Sequence, residues 1–289
     1  MMQGFEAGVT THFILQQVRQ TKPLPIAVQK LYSMVDDIQA DIRDVERTIS
    51  SDEVLSAKLL QLANSAFYGF SHRISSIPQA VAVIGFQGIR SMALSVSVGQ
   101  FCERASHMYG RDDFWKRTLK VATAARMMGT HLPVKSPDNA FAVGILHDIG
   151  QILLLQAFPQ AYQQLLQISM STTHSIISLE SKTFQITHPQ VSLLLCQHWK
   201  LPVVMHRAIA EHHRPVKATP CPKEEEHILS YILQRANNLV DLLDNPPHKK
   251  PLLSMKELVT PWGNMAMLND MIERIPQEVA QIESFLKSV

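Results

Sequence analysis

Apolar residues recur at helical spacing through nearly the whole chain, and no run alternates strictly enough to read as a half-buried strand. Between Asp52 and Ala66, Leu55, Leu59 and Leu62 stand at i, i+4 and i+7, one stripe of a helix. Ser51 and Asp52 offer cap oxygens before it, and Asn64 and Gly69 are stop signals after it. Ser76 ahead of Ile77-Pro78 predicts a short helix that breaks at Gly85, and Phe86 to about Arg104 a longer one. The pattern also predicts helices at Pro25–Val35, Asp41–Ser50, Asp113–Gly129, Pro137–Phe158 and Pro159–Met170. Further helices are expected at Thr173–Phe184, Pro189–Trp199, Pro202–His213 and Glu224–Leu243. The expected fold class is all-α.

Two breaks in this pattern suggest how the chain is organised. Residues 1–20 read as an N-terminal extension or helix ahead of a helical lobe at 21–104. The polar stretch Glu103–Arg111, with Gly110, joins it to a second lobe at 105–245. Asn245–Pro251 (NPPHKKP) then removes helix donors at three prolines. In the final segment, 246–289, Val279, Ile282, Phe285 and Leu286 form a stripe expected to pack on the second lobe.

Composition narrows the class. With 46% hydrophobic residues and 11 glycines in 289 residues, the chain can bury a real core, which excludes disorder and collagen-like repeats. No apolar run reaches the roughly 18 residues of a membrane span. Twenty-seven Lys and Arg against 25 Asp and Glu give no basic excess, which argues against nucleic acid. A helix-turn-helix over Gln79–Ser95 fails in register, because Val81 and Ser91 fall where that motif wants Ala and an aliphatic residue. Three widely spaced cysteines, Cys102, Cys196 and Cys221, make neither a disulfide framework nor a metal knuckle, so a reducing, cytoplasmic setting is expected.

Histidine is the outlier. Eight of 13 lie between His147 and His227, where even spacing would put three or four. The focal segment is Gly144-Ile-Leu-His147-Asp148-Ile-Gly150. An adjacent imidazole and carboxylate in an apolar helix need partners, and together they can chelate a first-row divalent metal. His188 opens one helix downstream; His212 and His213 close the next, where a helix C-terminus also favours imidazolium. His198 and His206 read as surface or groove positions.

GILHDIGQILL, with HPQVSLLLCQHWKLP and AIAEHHRP after it, resembles the HD superfamily of metal-dependent phosphohydrolases. DEVLSAKLLQLANSAFYGF (Asp52–Phe70) and ISSIPQAVAVIGFQGIRSMALS (Ile74–Ser95) resemble the HDOD family, the HD-related output domains of bacterial signalling proteins. The likeness covers about residues 20–245 and implies an N-terminal helical lobe followed by an HD-like lobe. It also implies an upstream histidine and a late aspartate completing the metal set of active HD enzymes. At those positions this sequence carries Arg117 (in RTLKVA) and Asn237 (in QRANN). Arginine cannot ligate a metal and asparagine offers only a neutral oxygen.

A vestigial site of Arg117, His147, Asp148, His188, His212, His213 and Asn237 is therefore expected, with Arg117 paired to Asp148 in place of a metal. The resemblance implies a non-catalytic output module, such as the output part of a response regulator, acting through a protein partner, small ligand or nucleotide. The alternative is a phosphohydrolase or cyclic-dinucleotide phosphodiesterase binding Mn, Fe or Mg through His147, Asp148, His188 and His212. His188 and the His212–His213 pair resemble the extra ligands of HD-GYP relatives, but no GYP tripeptide occurs.

Overall fold

A computed structural model describes residues 7–34, 42–64, 72–109, 112–214, 222–244, 253–254, 257–258 and 265–287. All regular structure among them is helical. The first helices are α1 (Ala7–Gln20), α2 (Ile26–Ser33), α3 (Ile42–Ser50), α4 (Glu53–Ala63), α5 (Ile77–Ile84) and α6 (Phe86–Tyr109). After them come α7 (Asp112–Gly129), α8 (Pro137–Leu146), α9 (Ile149–Ala157), α10 (Pro159–Ser171) and α11 (Ile176–Phe184). The chain continues through α12 (His188–His198), α13 (Val203–Glu211) and α14 (Glu225–Asp244) to α15 (Met265–Lys287).

Local chemistry sets several of these ends. Asp52 accepts from the Leu55 backbone N–H at 2.9 Å and starts α4. Ser76 caps α5, and Gly85, at φ 84°, ends it in a conformation that favours glycine. One expectation is corrected. The predicted helix Pro137–Phe158 is two helices, α8 and α9, parted at His147–Asp148, where Asp148 leaves helical geometry (φ −102°, ψ 5°). The apolar stretch Pro137–Ala157 thus has the composition of a membrane span but is broken and mostly buried.

Helix α6 is shared by both halves. It packs on α2, α4 and α5 on one side and on α7, α8 and α9 on the other. The second half is built on α7 against α8 and α14, with α12 bridging α9 and α13. α1 packs on α9, α11 and α12 of the second half. His198 and the Trp199 indole bond the carbonyls of Thr21 and Lys22, at 3.0 and 3.1 Å, and pin the chain as it leaves α1. Leu268, Met271, Ile275, Val279 and Ile282 are the buried stripe of α15, which lies on α7 and also touches α4. The side chains of Phe285 and Leu286, the Asn245–Pro251 segment and Cys221 lie outside the described residues.

Candidate metal centre

The α8–α9 break puts His147 and Asp148 at the crowded meeting of α7, α8, α9 and α12. Two glycines permit that closeness. A Cβ on Gly144 would stand 2.4 Å from Ala122 Cα on α7, and one on Gly150 would stand 2.2 Å from the His188 carbonyl oxygen on α12. Ser192 of α12 ties the break together: its hydroxyl donates to the His147 carbonyl (2.9 Å) and accepts from the Gly150 N–H (2.8 Å).

Three imidazoles converge on Asp148. The His147 Nε2 lies 3.1 Å from Oδ2, and the His188 and His212 Nε2 atoms lie 3.1 and 3.3 Å from Oδ1. In each ring Nδ1 is already committed. His147 donates it to the Gly144 carbonyl (2.6 Å) and His212 to the Ile209 carbonyl (2.7 Å), since a carbonyl can only accept. His188 donates its Nδ1 to the Glu180 carboxylate, at 2.9 Å from both oxygens. Nε2 is therefore the nitrogen each ring offers inward. His213 adds a fourth, its Nε2 3.1 Å from that of His188.

His147, His188 and His212 are buried, as is Asp148, whereas His213 is only partly covered. Gln234 of α14 donates to the Glu211 and Arg214 carbonyls and so holds the turn that carries the two adjacent histidines.

The electrostatics are those of a tightly coupled buried cluster of one carboxylate and several imidazoles. Burial would raise the Asp148 carboxyl, but His147, His188 and His212 around it hold it well below the usual carboxylate range. Burial pushes His212 down to about 4 and His213 down as well, so both are neutral donors at neutral pH. Burial would also lower His188; Glu180 and Asp148 outweigh it and bring that imidazole to about 9.

The His147 Nε2, His212 Nε2 and Asp148 Oδ1 are buried without an aligned hydrogen bond. Such orphaned donor atoms facing one another suit a cation between them. Asp148, His188, His212 and His213 each offer a ligand atom within 4.8 Å of the others, a mixed nitrogen–oxygen set that fits a divalent transition metal.

Arg117 and Asn237 are not part of this convergence. The Arg117 guanidinium donates to Asn237 Oδ1 (3.1 Å) and pairs with Asp241 (2.9 Å) and Asp244 (3.8 Å). The expected Arg117–Asp148 pair is thus corrected: the imidazoles fill the space around Asp148, while α14 offers Arg117 two carboxylates nearer the surface. Lys120 also pairs with Asp244. His198 and His206 make structural bonds to carbonyls, His206 to that of Leu201 (3.1 Å).

Sequence reasoning missed Glu180, Tyr162 and Ser192. Glu180 is fully buried and lies eight residues before His188, in a helix (IISLESKTF) where Ser178, Ser181, Lys182 and Thr183 surround it, so no local pattern sets it apart from a solvated acid.

The HDOD domain family model matches residues 22–215. An uncharacterised protein of Treponema pallidum (strain Nichols) is 24% identical over 80% of this chain and 44% of its own length. The cyclic di-GMP phosphodiesterase CdgJ of Vibrio cholerae is 26% identical over 47% of this chain and 30% of its own. The chain therefore spans less than half the length of these curated relatives. An HDOD domain protein of unknown function from Geobacter sulfurreducens has the same fold, at TM-score 0.71 and 19% identity over 95% of this chain and 99% of that one.

Proposed function

Because the chain belongs to the HDOD domain family, signalling-associated and HD-related, we propose that it is a regulatory module that keeps one metal centre and has lost hydrolysis. The observation that carries this is Arg117. In active HD enzymes the resemblance implies a histidine there and an aspartate at 237. Here the guanidinium donates a hydrogen bond to Asn237 and is ion-paired with Asp241, so both of those positions are taken up by contacts within the protein.

What remains is the set Asp148, His188, His212 and His213, with His147 beside it. A divalent ion held there would supply Lewis acidity and, in an enzyme, an activated water. The chain's own residues favour holding it over using it. Most donors are buried, leaving only His213 partly open to solvent. The output would run through a protein partner that reads the state of the centre, with a small ligand or nucleotide as the incoming signal.

A second reading is favoured by the Vibrio cholerae relative, whose name is that of a cyclic di-GMP phosphodiesterase. One experiment separates the two. Untagged protein is loaded with Mn, Fe, Zn or Mg, its metal is counted by elemental analysis, and turnover of cyclic di-GMP and bis(p-nitrophenyl) phosphate is followed. About one tight ion per chain without turnover is the expected result. Turnover abolished by His147→Ala overturns it in favour of the phosphodiesterase.

A further inference from the structure

We propose that Glu180 is the positioning residue of the centre, selecting the nitrogen that His188 presents and strengthening it as a metal donor; this rests on the single-metal reading above. Among the described residues, Glu180 and Asp148 are the two buried carboxylates, and Glu180 is fully buried. A carboxylate in that position must be met by donors. Its donors are the Tyr162 hydroxyl at 2.6 Å, the His188 backbone N–H at 2.8 Å and the His188 Nδ1 at 2.9 Å.

Holding backbone and ring of one residue together fixes the imidazole in rotation as well as in tautomer. The ring is left one direction to point, with Nε2 toward Asp148 and His213. The turn at Gln185, which adopts left-handed geometry (φ 57°), folds α12 back so that Glu180 on α11 reaches the first residue of α12.

The other two rings differ in kind. His147 and His212 lean on neutral carbonyls three residues back in their own turns. Of the three rings on Asp148, His188 is the one that the described residues back with an anion. An anionic outer partner raises the donor strength of a ligating imidazole, and losing one costs about 10–100-fold in metal affinity. Tyr162 in turn holds Glu180 in place, so the chain of support runs from Tyr162 through Glu180 to His188 and the ion.

The test compares Co(II) binding to wild type, Glu180→Gln and Tyr162→Phe by calorimetry, elemental analysis and the visible spectrum of the bound ion. Glu180→Gln keeps the shape and removes the charge. We expect its Kd to rise about 10–100-fold, with a changed ligand-field band. Tyr162→Phe should show a smaller loss in the same direction, and it stands in if Glu180→Gln fails to fold. A purely structural role would lower the melting temperature of the metal-free protein while leaving Kd and spectrum unchanged. Wild-type binding matched by the variants overturns this inference alone. No ion on the wild type overturns the single-metal reading and this inference with it.

Discussion

Gly150 has no room for a side chain, because an added Cβ would meet the His188 carbonyl oxygen at 2.2 Å and the Ser192 nitrogen at 2.7 Å, both backbone atoms. Neither can swing aside, so Gly150→Ala must push α9 away from α12. We expect a loss of about 1–3 kcal/mol, read by urea denaturation, together with weakened metal binding as Asp148 is drawn from His188. An unchanged midpoint would mean that the contact is looser than its distances. Arg117 lies at the other extreme. Its partners are Asp241 and Asp244, and its side chain retains 28% of its accessible surface. Arg117→Ala should therefore cost only about 1 kcal/mol or less. A loss of several kcal/mol would point to a buried counter-charge role at Asp148, which the geometry does not support.

At the scale of elements, the decisive feature is a helix that stops. An uninterrupted helix from Pro137 to Phe158 would send His147 and Asp148 out about 100° apart, and the 3.6-residue pitch does not bring adjacent side chains to one point. The break lets both meet the Nε2 atoms arriving from α12 and α13. The turn between α11 and α12 matters equally. Gln185 is exposed and holds left-handed geometry, which costs a residue with a Cβ about 1–2 kcal/mol. Gln185→Gly should relieve part of this and raise stability by about 0.5–1 kcal/mol, measured as an increase in the urea midpoint, with metal affinity unchanged. A fall in stability would show that the glutamine side chain supports the turn.

Across the molecule, the two halves share helices instead of meeting at a plain interface. Arg90 of α6 is buried; it stacks on Tyr32 of α2, 4.7 Å from the ring centroid, and donates to Asn139 of α8 at 2.9 Å. Asn139 passes the contact on to Glu225 of α14 at 3.1 Å. With α6 and α15 touching both halves and α1 folded onto the second, we expect one cooperative urea transition for the full chain. Arg90→Ala should shift that transition by about 2–4 kcal/mol without splitting it. Two separate transitions in the wild type would show that the lobes fold independently and that α6 does not couple them.

The sequence by itself determined the helices, most of their ends and the family. Periodicity, caps such as Asp52 and Ser76, and the stop at Gly85 act within a few residues, so they are legible in a linear string. The HD segment and the distant His188, His212 and His213 were legible as chemistry, since those residue types are costly to bury without partners. Only the tertiary structure decided which of them share a centre. It brings four Nε2 atoms to Asp148 and its neighbours, commits Arg117 to α14, and reveals Glu180 as the anion behind His188. It also ends α8 at the histidine, where composition alone reads one continuous helix. Contacts spanning 45 residues, like that from Ser192 to His147, come from helix packing, and no local pattern records them.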